Sequence, residues 1–99
     1  MAASETPSLV SSEKTVATAG TAVALSATSL RVKSITIVAK DTNTGRVYVG
    51  GSDVTSTVNR GLQAGDALHH TSDGWFDLKD LFVNASVNSE GVDFYAVKA

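Results

Sequence analysis

"RVKSITIVAK", residues 31–40, decides the fold class. Ile35, Ile37 and Ala39 fall on one side of an extended chain, and Ser34, Thr36 and Val38 on the other. Side chains alternate faces in a strand, so this period of two predicts a strand with one buried face. A helix would scatter the same residues around its circumference.

The neighbouring segments repeat the theme. "DTNTG", residues 41–45, is turn chemistry: Asp and Asn bond their own backbone, and Gly45 tolerates positive φ. "RVYVG", residues 46–50, follows as a strand with Val47 and Val49 inward. A gap of this length predicts a hairpin between the two strands. Upstream, "KTVATAG" is a weak strand ending at Gly20, and "TAVALSA" alternates over residues 21–27. Downstream, "GSDVTSTVNRG" is polar, with Val54 and Val58 as its apolar points. Ala64-Gly65-Asp66 reads as a turn before a strand through Leu68 to Thr71, and "SDGW", residues 72–75, as another turn. Leu78, Leu81, Phe82 and Val83 suit a short helical turn leading into a strand. After a turn at "NSEG" comes a last strand, with Val92, Phe94 and Ala96 facing one way and Asp93, Tyr95 and Val97 the other.

Short strands with turn signals at regular spacing predict an all-β chain, a single small antiparallel sandwich or barrel. Composition agrees. Val, Thr, Ser and Ala dominate, and β-branched residues suit a pleated surface. At 99 residues there is one domain, expected over 15–99. Residues 1–14 are small and polar and hold the sole proline, Pro7; they predict a flexible N-terminal arm.

Bulk properties narrow the function. The formal charge is −2, which opposes nucleic-acid binding, where a basic face must displace counterions. No apolar run approaches the ~20 residues of a membrane span, and the N-terminus lacks the pattern of a signal peptide. With no cysteine there is neither a disulfide nor a thiolate metal site.

Four constellations invite chemical readings. Gly50-Gly51 follows a strand, as in phosphate cradles, but no helical pattern and no Lys-Ser/Thr pair follows; a bend capped by Ser52 or Asp53 is the simpler reading. His69 and His70 are adjacent, so a strand sends them to opposite faces, which opposes shared metal ligation. Asp73, Asp77 and Asp80 lie near Trp75, as glycosidase carboxylates lie near aromatics, yet turns and caps use aspartate more often. The chain is therefore read as a non-enzyme without cofactor or metal. Trp75, in "DGWF", either fills a core short of large apolar residues or stands exposed as an interface anchor. Trp75, Phe76, Tyr48, Arg46 and Asp53 are the candidate protein-interface residues.

Gly45-Arg46-Val47-Tyr48-Val49-Gly50, then Ser52-Asp53-Val54, then Leu62-Gln63-Ala64-Gly65-Asp66-Ala67-Leu68, resembles a pattern in small structural proteins of tailed bacteriophages. "DLKDLFVNASVNSEGVDFYAV", residues 77–97, is similar to that family's strand before a final hairpin. The resemblance implies a jelly-roll-like sandwich on a virion, of the capsid decoration or cement type. It further implies the major capsid protein as partner, a homo-oligomer (dimer or trimer), and a place on the capsid surface. The alternative is a tail, neck or fibre module that binds a glycan or host surface, with Trp75, Tyr48 and Tyr95 as sugar platforms.

Overall fold

The computed structural model describes residues 9–55 and 61–99. Among these residues seven strands form two antiparallel sheets, a small β-sandwich. The first sheet has the order β1 (Leu9–Val16), β7 (Glu90–Lys98), β3 (Arg31–Ala39), β5 (Ala67–Asp77). The second has the order β2 (Val23–Ala24), β6 (Phe82–Ala85), β4 (Val47–Gly50). Consecutive strands always change sheet, which is a jelly-roll-like winding. A single antiparallel bridge between Val47 and Leu62 extends the second sheet beyond β4.

The expected alternation is present in β3 and β7. Ile35, Ile37 and Ala39 are buried on β3, and Val92, Phe94 and Ala96 on β7. They meet Val47, Val83 and Ala85 from the other sheet, with Val16, Leu25 and Leu78 closing the core. Leu78–Asp80 form one turn of 3₁₀ helix ahead of β6, as the spacing of Leu78, Leu81, Phe82 and Val83 predicts. The Ala64–Asp66 turn also forms, with Gly65 at φ +86° and Asp66 N–H donating to the Gln63 carbonyl at 2.9 Å.

Four expectations are corrected. Residues 9–14 do not belong to an arm: Leu9–Val16 is a full strand paired with β7 from Leu9↔Val97 to Val16↔Glu90. Residues 1–8 and Val58 lie outside the described residues. "TAVALSA" contributes only the two-residue β2.

Second, β3 and β4 make no hairpin; they belong to different sheets. β7 and β5 occupy both edges of β3, and side-chain chemistry pins the connecting loop at the start of β7. Asn43 donates from Nδ2 to the Gly91 carbonyl at 2.8 Å and accepts Gly91 N–H at 3.2 Å. The Glu90 carboxylate accepts from Thr44 N–H at 2.5 Å, Thr44 hydroxyl at 2.8 Å and Gly45 N–H at 2.9 Å. The loop is thereby held beside the start of β7, next to the end of β3, before β4 begins in the second sheet. Five residues reach ~17 Å, and the layers lie ~10 Å apart, so a hairpin-length loop is also long enough to cross.

Third, "SDGW" does not reverse the chain. β5 runs through it, with Thr71 opposite Ser34 and Phe76 opposite Val32. Residues 72–75 on β5 therefore face only Lys33 on β3, and they bulge. The turn chemistry is real but local: Gly74 N–H donates to Ser72 Oγ at 3.4 Å. The strand resumes because buried Val32 and half-buried Phe76 both belong to the core side.

Fourth, β6 and β7 are not a closing hairpin, since β6 pairs with β2 and β4.

β1 docks closely on β7. A Cβ placed on Gly91 would lie 2.1 Å from the Lys14 carbonyl oxygen and 2.8 Å from Thr15 Cα, both backbone atoms. Around Gly74 there is nothing within 4 Å. Gly91→Ala is expected to destabilise the fold by roughly 2–4 kcal/mol, because neither chain can give way without losing the pairing. Gly74→Ala should shift stability by less than ~1 kcal/mol. Urea unfolding of the two variants checks this; equal effects would contradict the close approach.

Candidate functional site

The two sheets differ in what covers their outer faces. On the second sheet, Tyr48 and its cross-strand partner Asn84 point away from the core yet are buried. Asn84 donates from Nδ2 to the Val54 carbonyl at 2.9 Å and accepts Gly20 N–H at 3.0 Å, tying down two loops. Gly61, at φ +77°, lies against the Tyr48 ring: a Cβ there would come 2.5 Å from Cε1. Leu62 N–H donates to the Val47 carbonyl at 2.7 Å and locks that segment in place. Loops thus roof this face.

The "VGGSDV" stretch belongs to the same roof. Val54 N–H donates to the Gly51 carbonyl at 3.0 Å, closing a turn over Ser52 and Asp53, and Val54 is buried beneath it. The glycines serve a bend, as the absence of a helical pattern indicates.

Among the described residues no loop roofs the first sheet's outer face. Its cross-strand rows are Leu9–Val97–Ser34–Thr71, then Ser11–Tyr95–Thr36–His69, then Glu13–Asp93–Val38–Ala67. Tyr95 is 50% exposed and Leu9 72%. Thr36 Oγ1 and His69 Nδ1 are 2.9 Å apart. At one corner Lys40 binds Glu13 and Asp93, the latter at 2.9 Å, and these bonds raise the lysine's pKa. At the opposite corner stands Trp75, 51% exposed, with the Arg31 guanidinium carbon 4.2 Å from the ring centroid. Cation–π stacking at an exposed site contributes about 0.5–1 kcal/mol and favours this placement of the ring.

The five sequence-derived interface residues are divided among separate places. Trp75 stands on the open face, while its neighbour Phe76 points inward, packed on the core and edge-on to His70 at 5.0 Å. Arg46 and Tyr48 line a shallow polar groove of about 530 Å³ with Asn43, Gln63 and Ser86. Asp53 is exposed in the turn at the far end of β4. Trp75, Tyr48 and Tyr95 form no common platform: Tyr48 is buried under Gly61, on the other sheet. Sequence reasoning left Arg31 and Thr36 unmarked. Thr36 lies between the inward Ile35 and Ile37, and Arg31 just before the inward Val32.

The aspartates near Trp75 divide likewise. Asp77 is a clamp: it accepts Leu30 N–H and Lys79 N–H, each at 2.9 Å, and the Ser29 hydroxyl. The Ser29 bond, helped by the two N–H groups, lowers its pKa from 3.8 to about 2. Asp73 and Asp80 are exposed. His69 and His70 do take opposite faces, opposite Thr36 and Ile35 respectively. Among the described residues no three His, Cys, Asp or Glu side chains gather as a metal-holding group.

Comparison with known proteins adds no relative: no family model, curated protein or solved structure matches the chain.

Two predictions follow from these placements. Trp75→Ala should cost no more than ~1 kcal/mol, since the ring is half in water and loses one cation–π contact. Leu78→Ala, fully buried, should cost roughly 2–5 kcal/mol. Chemical unfolding of both separates an exposed tryptophan from a core one.

The second concerns acid. Asp77 and Glu90 both have folded pKa values below their unfolded ones, Glu90 chiefly through Thr44 N–H. A depressed carboxylate stabilises the fold above its unfolded pKa and loses that contribution as pH falls through the folded one. The melting temperature should therefore fall between about pH 4 and about pH 2. Asp77→Asn and Glu90→Gln should each flatten that slope. Slopes identical to that of the unaltered chain would show that these clamps carry no acid sensitivity.

Proposed function

We propose that this chain is a bacteriophage structural protein of the capsid decoration or cement type, held on the outer shell by contacts with the major capsid protein. The observation that carries the reading is the asymmetry of the sandwich. One outer face is roofed by loops that Asn84 and Leu62 fix, and the other is open, with Trp75 and Tyr95 half exposed on it. An open, braced aromatic surface on a rigid sheet is suited to docking, where aromatic anchors carry much of the binding energy. The resemblance of residues 45–68 and 77–97 to phage structural proteins supplies the setting. On a shell, many modest contacts reinforce one another through multivalency, and binding only the assembled state stabilises it.

A fibre, neck or tail module that binds a glycan is the second reading. Trp75 favours it, because an oriented exposed ring can stack on a sugar. The separation of Trp75, Tyr48 and Tyr95 weighs against it.

Quantitative mass spectrometry of purified particles tests the proposal. Hundreds of copies per particle are expected of a lattice protein. About a dozen copies would move the chain to neck, tail or fibre, and absence from the particle would overturn the virion role. Shells prepared with Trp75→Ala should carry less of the protein while the isolated variant stays folded.

A further inference from the structure

Asp73-Gly74 is the one place in the sequence where glycine follows an aspartate or an asparagine. Such a pair can rearrange unaided, because glycine has no side chain to shield its nitrogen from the neighbouring carboxyl carbon. A fold suppresses the reaction by binding that nitrogen in a hydrogen bond or by fixing the side-chain carbonyl. This fold does so at other sites of the same chemistry. Thr44 N–H, after Asn43, donates to Glu90 at 2.5 Å. Leu78 N–H, after Asp77, donates to the Leu30 carbonyl at 3.0 Å, and the Asp77 carboxylate is held by three donors. Ser89 N–H, after Asn88, donates to the Val16 carbonyl at 2.8 Å, while Asn88 Oδ1 accepts Ala19 N–H at 2.7 Å.

The bulge withholds that protection from Asp73-Gly74. β5 is the outermost strand of its sheet, and its register with β3 skips residues 72–75. Asp73 and Gly74 are both exposed. Gly74 N–H reaches Ser72 Oγ at 3.4 Å, longer than an ordinary hydrogen bond. Nothing lies within 4 Å of the place a Cβ on Gly74 would take, so the backbone has room to turn toward the carboxyl group.

We propose that Asp73-Gly74 is a site of spontaneous succinimide formation, which converts Asp73 into isoaspartate in the folded chain. The Gly74 nitrogen attacks Cγ of the protonated Asp73 side chain. A Cγ–N bond forms, a Cγ–O bond breaks, and the amide proton leaves with the hydroxyl group as water. Water then reopens the ring. Attack at Cγ restores aspartate. Attack at the main-chain carbonyl carbon of Asp73 breaks its bond to the Gly74 nitrogen and leaves isoaspartate. The water lost is regained, and nothing is oxidised or reduced. The product carries an extra methylene carbon in the backbone ahead of Trp75 and a free carboxylate on the Asp73 α-carbon. The bulge is already out of register, so the strand absorbs the extra atom there, and Trp75 leaves its place against Arg31. That α-carboxylate is the group that isoaspartate methyltransferases esterify with S-adenosylmethionine, so the aged chain becomes a substrate for that class of enzyme. The inference does not depend on the virion setting.

Incubation of the full chain in neutral buffer at physiological temperature for several weeks is the test. Methyl transfer from labelled S-adenosylmethionine by a purified isoaspartate methyltransferase measures the product, and peptide mapping places it. Isoaspartate is expected at residue 73, forming within about tenfold of its rate in the free peptide HTSDGWFDL, residues 70–78, a barrier difference of about 1.4 kcal/mol. Tryptophan fluorescence should shift on the same time course. Gly74→Ala, whose methyl group meets open space, should stay folded and unmodified. Asp73→Glu, which would have to close a larger ring, should do the same. No isoaspartate at residue 73, a rate below that tenfold bound, or equal product in Gly74→Ala overturns the proposal. Fluorescence that stays constant while isoaspartate accumulates overturns the displacement of Trp75.

Discussion

The architecture depends on the Glu90 carboxylate and its neighbour Gly91 at the start of β7. Three donors from Thr44 and Gly45 converge on Glu90, and Asn43 clasps the Gly91 backbone from both sides. That cluster pins the loop leaving β3 beside the start of β7. With β7 and β5 on both edges of β3, β4 is left to the opposite sheet. The same position admits β1, because glycine alone lets the Lys14 backbone approach so closely. One short stretch therefore joins the first strand, the last strand and the crossover.

Much of the local structure was legible in the sequence. Period-two alternation marked β3 and β7 and their inward faces correctly, because both lie inside one sheet with one side buried. The crowding of leucines after Trp75 marked the 3₁₀ turn and β6. Sheet membership was not legible. Asp, Thr, Asn and Gly turn a chain within a layer or carry it between layers equally well, and the deciding partners are some 46 residues away at Glu90. The bulge at residues 72–75 was hidden for a related reason. Turn residues were recognised, but the core contact that pulls Phe76 back into register is a tertiary event. The N-terminal boundary failed because β1 lies at the sheet edge with serines on both sides, so it carries little alternation to read.

The candidate site was half legible. Trp75 was marked by composition alone, and its exposure follows from an inward Phe76 beside it. Tyr48 misled, since an outward-facing residue on a strand is exposed only where no loop covers it. The open face is visible in sequence only after the pairing is known, when Ser11, Tyr95, Thr36 and His69 become one row. Each is unremarkable by itself. Their shared lack of charge acquires meaning only in two dimensions.

The pairing of β1 with β7 also sets a clock. Leu9 meets Val97, so the first strand has no sheet partner until β7 has been made. During synthesis β1 must remain unpaired, with an edge available to other chains. Folding then requires closure of a loop that contains almost the whole domain, which places it among the slower topologies of its size.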